Sequence, residues 1–130
     1  MNIHKSPPDG NCLFHSCGYF LDIDHKTLRK LVTETMKEYP KMPINNVELS
    51  MWILFSDSGP DYTNYMSKDG VHGSALEISL ISIMFRRTVY IYKKESNDFD
   101  KIIQIADYFP DFGNPFSLLW SGNHYDALIE

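Results

Sequence analysis

The hydrophobic pattern of this chain changes its period once, near Thr88. Before that point apolar residues recur at intervals of three and four, as in "TLRKLVTETM", which is typical of amphipathic helices. After it, β-branched and aromatic residues gather in four short runs that are typical of strands: "TVYIY", "KIIQIA", "FSLLW" and "YDALI". This order predicts an α+β domain in which helices cover a small mixed or antiparallel sheet, and in which the two chain ends can meet across the sheet.

Four helices are predicted in the first part of the chain. The first runs from Cys12 to Phe20, and the second is "HKTLRKLVTETMKEY", with Asp24 as its N-cap and Pro40 as its stop. The third is "NVELSMWILF", whose large apolar residues recur at helical intervals and are therefore expected in the core. These core candidates are Met51, Trp52 and Phe55.

The fourth predicted helix, "SALEISLISIMF", has the clearest start signal in the chain. Ser74 and Glu77 form the sequence pattern of a capping box at its first turn. Its apolar residues surround nearly the whole helix, so we expect this helix to be central and buried.

The composition is that of an ordinary globular domain. The 130 residues are 43% hydrophobic and 22% charged, with no repeat or linker-like tract, so we expect one domain spanning residues 1–130. Cys12 and Cys17 lie on different faces of one predicted helix, and we expect both to stay reduced. With no signal-peptide pattern and no apolar run long enough for a membrane span, the chain is expected to be a soluble cytoplasmic monomer.

The charge balance excludes one class of partner. Seventeen acidic and twelve basic residues give a net charge of -5, and basic residues cluster no further than the pairs Arg86-Arg87 and Lys93-Lys94. This distribution argues against a nucleic-acid surface and permits a basic partner.

The stretch "SPPDGNCLFHSCGYF" places Cys12 where a turn becomes a helix. From these residues alone, Cys12 is either a small buried hydrophobe or a nucleophile held at a helix N-terminus. In the second case the helix dipole lowers the pKa of the thiol, and the backbone N–H groups of residues 9–12 can stabilise an oxyanion. Cys17, in the middle of the helix, is expected in the core, and Asp9 fits a turn-forming role before Gly10.

Among the five histidines, His124 is the best candidate partner for a cysteine nucleophile. It lies at the start of the last predicted strand, and strand alternation puts Asp126 on the same face. A carboxylate there can orient the imidazole ring, although Asp126 also fits a solvent-facing strand position. No histidine pair has zinc-like spacing with a cysteine, so we expect no metal and no cofactor.

The segments "DGNCLFHS" and "NHYDAL", at opposite ends of the chain, together resemble the ovarian-tumour (OTU) cysteine proteases. Between them, "YMSKDGVHGSALEISLISIMFRRTVYIY" is similar to the family's tyrosine-methionine pair, its G-x-W-G-G loop, its glutamate-leucine helix and the strand that follows. The three blocks cover almost the whole chain in the family's order. The resemblance implies an OTU-like cysteine protease fold.

The resemblance also implies an activity, the hydrolysis of isopeptide bonds at the C-terminus of ubiquitin, polyubiquitin or a ubiquitin-like modifier. By motif position, Cys12 is the nucleophile, His124 the general base and acid, and Asp126 the residue that orients His124. The implied oxyanion loop comprises Asp9, Gly10, Asn11 and Cys12, with Asp9 counted among the catalytic residues. The implied substrate-binding residues are Val71, His72, Gly73, Asn123 and Trp120, of which Trp120 is either a core residue or a cover over the site.

Three positions depart from the family pattern. His72 stands where tryptophan is common and Ser74 where a second glycine is common, so the channel for the ubiquitin tail is expected to differ in shape. His15 stands where arginine is usual. The chain is short for the family, which is compatible with a viral or bacterial effector.

Two other functions remain open from the sequence. One is a ubiquitin-binding module without turnover, and the other is a viral protease that processes its own polyprotein. For a protein that acts on ubiquitin, the helix 24–39 and the hairpin 90–105 are expected to form the ubiquitin-contacting surface, because exposed elements around a site usually carry its specificity.

Overall fold

The structure is a computed structural model that describes residues 2–95 and 98–129, with the backbone alone for residues 98–100. Helices dominate the chain up to Phe85 and strands dominate after Thr88, as the change of hydrophobic period predicts. In chain order the elements are β1 (Asn2–His4), α1 (Cys12–Leu21), α2 (His25–Glu38), β2 (Pro43–Ile44), β3 (Val47–Glu48), α3 (Leu49–Leu54), a 3₁₀ turn (Gly59–Asp61), α4 (Tyr62–Met66), α5 (Ala75–Phe85), β4 (Val89–Glu95), β5 (Asp98–Tyr108), β6 (Phe116–Trp120) and β7 (Tyr125–Ile129).

The main sheet is mixed and has the strand order β1-β7-β6-β4-β5. Strands β4 and β6 pair in parallel, whereas the other neighbours are antiparallel. The short strand β1 pairs with β7, with Ile3 opposite Leu128, so the two chain ends meet in the sheet as predicted. The predicted hairpin is formed by β4 and β5, and Ser96 and Asn97 in its connection lie outside the described residues.

Local capping explains two of the predicted helices. The Asp24 side chain accepts hydrogen bonds from the Lys26 and Thr27 N–H groups at the start of α2. At the start of α5, Ser74 and Glu77 form the predicted capping box. Residues 77–82 of α5 are all buried, which confirms that this helix is central.

The third helix differs from its prediction. It begins at Leu49, because Val47–Glu48 instead pair with Pro43–Ile44 in a two-stranded ribbon. The core assignment of Met51, Trp52 and Phe55 is wrong, since these side chains are 38%, 41% and 78% exposed. The six-residue helix turns Leu49 and Ile53, one turn apart, towards the core instead.

Helix α1 packs against β6 and β7, the last two strands of the chain. Phe20 stacks on Phe116 of β6, with the ring centroids 5.0 Å apart. The Ser16 hydroxyl donates a hydrogen bond to the Tyr125 carbonyl of β7 at 2.9 Å. This packing brings the N-terminus of α1 against the start of β7. In the part of the chain that the structure describes, no helix is long and apolar enough to cross a membrane.

Candidate active site

Cys12 is the first residue of α1 and lies beside the start of β7. It is only 2% exposed, and its Sγ accepts a hydrogen bond from the Tyr125 N–H at 3.4 Å. Residues 113 positions apart in the chain are thus in direct contact. Cys17 is fully buried in the core, as predicted, and both thiols are free.

His124 and Asp126 form the hydrogen bond that the last strand predicts. The His124 Nε2 and the Asp126 Oδ1 are 2.8 Å apart, and the same oxygen accepts the Ser6 N–H at 2.8 Å. This arrangement leaves the other ring nitrogen, Nδ1, for a reacting group. Among the hydrogen bonds of the described residues none joins His124 to Cys12, and in free enzymes such catalytic contacts often tighten only when substrate binds.

The turn before Cys12 is organised by Asp9. The Asp9 carboxylate accepts the Asn11 N–H at 3.0 Å and lies 3.9 Å from the His15 ring. Burial raises the pKa of Asp9, but the Asn11 N–H and the nearby His15 together leave this pKa below its usual value. In the described hydrogen bonds Asp9 contacts neither Cys12 nor His124, so its position is that of a turn-forming residue.

The hydrogen bond from the Asn11 N–H to Asp9 removes one of the predicted oxyanion donors. The Asn11 N–H is already bound to Asp9, whereas the Asp9, Gly10 and Cys12 N–H groups have no acceptor among the hydrogen bonds of the described residues. These three N–H groups are therefore free to bind a developing oxyanion.

The segment Gly70–Gly73 packs directly against this turn. The Asn11 Oδ1 accepts the Gly70 N–H at 2.9 Å. A Cβ on Gly10 would lie 1.5 Å from the Gly70 carbonyl oxygen, and a Cβ on Gly73 would lie 2.4 Å from Leu13 Cδ2. Only residues without a side chain allow the two segments to approach so closely.

The remaining predicted substrate-binding residues lie at different depths in the fold. Val71 is half-buried, and His72 is exposed and lines a cavity of about 440 Å³ with Phe55 and Tyr65. Asn123 is exposed in the turn before His124. Trp120 packs against the core and also lines a cavity of about 570 Å³ that borders Asp126.

Arg29 is the residue at the site that the sequence interpretation missed. It is 4% exposed, and one of its terminal nitrogens donates to the Asn11 Oδ1 at 2.8 Å and to the Val71 carbonyl at 2.8 Å. A signal was present, because Arg29 lies on the same face of α2 as the buried Val32 and Met36. A charged residue within an apolar stripe marks a specific buried interaction.

The expectation that Cys12 carries a lowered pKa is wrong for the structure as it stands. Burial raises the pKa of the Cys12 thiol. The N–H groups of Tyr125, Leu13 and Cys12 act in the opposite direction, but they do not outweigh burial. A raised pKa favours the neutral thiol, so attack by this sulfur would require a base that takes its proton.

This pKa leads to a test of the resting site by alkylation. In Cys17→Ala protein, where Cys12 is the sole thiol, we expect the iodoacetamide reaction rate to rise about tenfold per pH unit between about pH 6 and 9. A raised pKa leaves a small thiolate fraction at each of these pH values, and that fraction grows with pH. The reference is N-acetylcysteine at each pH, and a rate plateau below about pH 7 would instead indicate a preformed thiolate–imidazolium pair.

Comparison with known proteins connects this geometry to a family. The sequence model described as "OTU-like cysteine protease" matches residues 7–125. The ubiquitin thioesterase OTU1 of Saccharomyces cerevisiae is 25% identical over 98% of this chain and 39% of its own length. The OVARIAN TUMOR DOMAIN-containing deubiquitinating enzyme 2 of Arabidopsis thaliana is 26% identical over 94% of this chain and 55% of its own length. The chain thus spans about two fifths of the length of the first curated relative and just over half of the length of the second.

Solved structures share the fold. An OTU domain in complex with ubiquitin is 26% identical, with a TM-score of 0.74 over 97% of this chain and 67% of that one. The Hazara virus OTU bound to ubiquitin is 20% identical, with a TM-score of 0.69 over 98% of this chain and 80% of that one. Because the family match covers the segments that carry Cys12 and His124, this chain belongs to the OTU family of cysteine proteases.

Proposed function

We propose that this protein is a thiol-dependent deubiquitinase that hydrolyses isopeptide bonds at the C-terminus of ubiquitin. The observation that carries the proposal is the hydrogen bond between His124, which directly precedes β7, and Asp126 of β7, the strand that abuts Cys12. Membership in the OTU family supports the cysteine chemistry. The names of the two curated relatives, and the solved OTU domains in complex with ubiquitin, support the substrate.

In the proposed reaction, His124 Nδ1 takes the Cys12 proton as the sulfur attacks the carbonyl carbon of ubiquitin's last glycine. Asp126 holds the ring by its Nε2 and stabilises the imidazolium. The Gly10 and Cys12 N–H groups bind the oxyanion of the tetrahedral intermediate. When the C–N bond breaks, His124 returns the proton to the departing lysine amine, and a thioester remains.

Hydrolysis of the thioester completes the cycle. A water molecule gives its proton to His124 and attacks the thioester carbonyl, and the Cys12 sulfur leaves and regains a proton. The chain itself supplies the nucleophile, the base and the oxyanion donors, so the proposal includes no cofactor. We place the activity in the cytoplasm, or in the host cytoplasm for a viral product, where the free thiols of Cys12 and Cys17 persist.

The ubiquitin tail is proposed to lie along Val71, His72 and Gly73, because this segment packs against the turn of residues 9–11 before Cys12, which we call the catalytic turn. Asn123 and Trp120 are proposed to border the tail from the side of His124. The body of ubiquitin, or of a ubiquitin-like modifier, is proposed to contact the helix 24–39 and the hairpin 90–105.

The test is incubation of the protein with ubiquitin that carries a C-terminal electrophile, followed by cleavage assays on di-ubiquitins of each linkage. We expect a covalent adduct at Cys12 and cleavage of at least one linkage. Tight ubiquitin binding without an adduct would replace the proposal by a binding module. Cleavage of a precursor junction, without any ubiquitin reaction, would replace it by a processing protease.

The same cleavage assay applied to charge-reversal variants across the segments 24–39 and 90–105 tests the proposed contact surface. Unchanged cleavage by every variant would rule out that placement. An adduct assay with ubiquitin-like modifiers that carry the same C-terminal electrophile shows which modifier the protein accepts. The di-ubiquitin assays show which linkage it cleaves.

A further inference from the structure

The side chain of Arg29 joins two segments that face Cys12. One terminal nitrogen, Nη2, donates to the Asn11 Oδ1 at 2.8 Å, the Val71 carbonyl at 2.8 Å and the Gly10 carbonyl at 3.3 Å. The other, Nη1, donates to the Met66 carbonyl at 2.9 Å. Two of these acceptors belong to the turn before Cys12, and two belong to the segment 66–71 that leads to Gly73.

The guanidinium has no ion-pair partner in the described part of the chain. No carboxylate lies within 4.0 Å of it among the described salt bridges, and its four main acceptors are neutral oxygens. Burial lowers the pKa of Arg29, with Asp69, Glu77 and Asp9 acting in the opposite direction, and an arginine stays protonated regardless. The Arg29 Cζ atom lies 4.3 Å from the centroid of the Phe14 ring of α1.

Burial of an unpaired cation is costly, and an apolar side chain would fill the same space at a lower desolvation cost. An apolar residue would, however, take the Arg29 donor away from the Met66, Gly10 and Val71 carbonyl oxygens, and would leave the Asn11 Oδ1 with the Gly70 N–H alone. The arrangement is therefore explained by the geometry that it imposes on these segments rather than by a gain in core stability.

The Gly10–Asn11 peptide shows how the geometry is imposed. In a trans peptide the C=O and N–H groups point in opposite directions. Here the Gly10 oxygen accepts from Arg29 while the Asn11 N–H donates to Asp9. The peptide plane is held from both sides, and this restricts the orientation of the two neighbouring peptides, which carry the Gly10 and Cys12 N–H groups.

We propose that Arg29 is a positioning residue that holds the catalytic turn and the segment 66–73 in one mutual arrangement. The turn carries the oxyanion donors, and the segment lines the proposed path of the ubiquitin tail. Arg29 therefore links the position of the substrate's reacting carbonyl to the binding of the ubiquitin tail. This inference rests on the proposed function only where ubiquitin kinetics are the readout.

The experiment compares Arg29→Lys with Val32→Ala. Lysine keeps the positive charge but, as a single ammonium, cannot reach acceptors on both segments in the fork geometry of arginine. Val32 on the same helix is fully buried and therefore cannot contact ubiquitin, and its truncation provides a matched loss of core stability without any hydrogen bond to the segments. For each variant we measure kcat and KM on a ubiquitin reporter, the thermal midpoint, and amide hydrogen exchange.

For Arg29→Lys we expect kcat/KM to fall about 10- to 100-fold, with both a lower kcat and a higher KM, because both segments lose their placement. We expect exchange at Asn11 and Gly70 to accelerate at least about tenfold, with little change in the core strands. Val32→Ala should lower the thermal midpoint while leaving the kinetic constants and the exchange at Asn11 and Gly70 near their original values.

Two outcomes would overturn the proposal. One is unchanged exchange at Asn11 and Gly70 in Arg29→Lys, and the other is an equal kinetic loss in Val32→Ala at an equal thermal midpoint. The exchange measurement needs no substrate. If the unmodified protein proves inactive on ubiquitin, the proposed function fails while the role of Arg29 is still decided by exchange.

Discussion

Replacement of Cys12 by alanine is expected to abolish the ubiquitin adduct and to reduce hydrolysis by at least about 10³-fold, because no other group can form the thioester. The structure supports this size of effect, since the His124–Asp126 pair is assembled next to this sulfur and not next to Cys17. Hydrolysis is measured with a fluorogenic ubiquitin reporter, and the adduct is measured by intact mass.

Cys17→Ala is the matched control for this prediction. Cys17 lies on the same helix and is fully buried in the core, so its truncation should cost about 1–2 kcal/mol of unfolding free energy and leave the adduct intact. Turnover in Cys12→Ala, or an equal loss in both variants, would contradict the assignment of Cys12 as nucleophile.

The second large effect is expected for Gly10→Ala. The new Cβ would lie 1.5 Å from the Gly70 carbonyl oxygen, and because this neighbour is backbone it cannot be relieved by a rotamer change. Relief requires the catalytic turn and the segment 70–73 to separate, which displaces the oxyanion donors. We expect kcat/KM to fall at least about 100-fold, with about 1–3 kcal/mol of lost stability from overpacking.

Gly18→Ala separates the catalytic effect from the stability effect. Its Cβ would lie 2.2 Å from the Ile23 carbonyl oxygen, so it creates the same kind of backbone clash near the far end of α1. We expect a comparable drop in the urea midpoint but near-normal kcat/KM per folded molecule. If Gly10→Ala keeps normal turnover, or if both variants lose the same activity, close packing of the two segments does not matter for catalysis.

The elements that the sequence predicts well are those set by neighbouring residues. The caps at Asp24 and Ser74 bind N–H groups two or three residues away, so their signals are complete within one turn of helix. The strand β1 is three residues long and forms by pairing with β7. No local sequence pattern predicts it. Its prediction would have required knowledge of that pairing.

The third helix shows a different limit. Helical spacing alone does not say which of two apolar stripes faces the core. Met51 and Phe55 form one stripe and Leu49 and Ile53 the other, and the structure buries the second. That choice depends on the ribbon of β2 and β3 and on the rest of the core, which lie outside the helix.

The candidate site likewise contains residues that the sequence predicts and one residue that it does not. The residue types of Cys12, His124 and Asp126 were readable, and strand alternation alone placed His124 beside Asp126, which the 2.8 Å contact supports. Arg29 was not found, because its four acceptors come from two segments distant in the chain. A charged residue in the middle of a surface helix is ordinarily solvated.

The sequence by itself determined the α+β class, the starts of α1, α2 and α5 and the groups able to react, because these follow from short-range hydrogen bonding, hydrophobic period and side-chain chemistry. The tertiary structure alone decided which oxyanion donors are free, which stripe of α3 is buried and why Arg29 bears on the site. It also reversed the expected pKa of Cys12, since the helix N-terminus is a local feature whereas burial is set by residues from the whole fold.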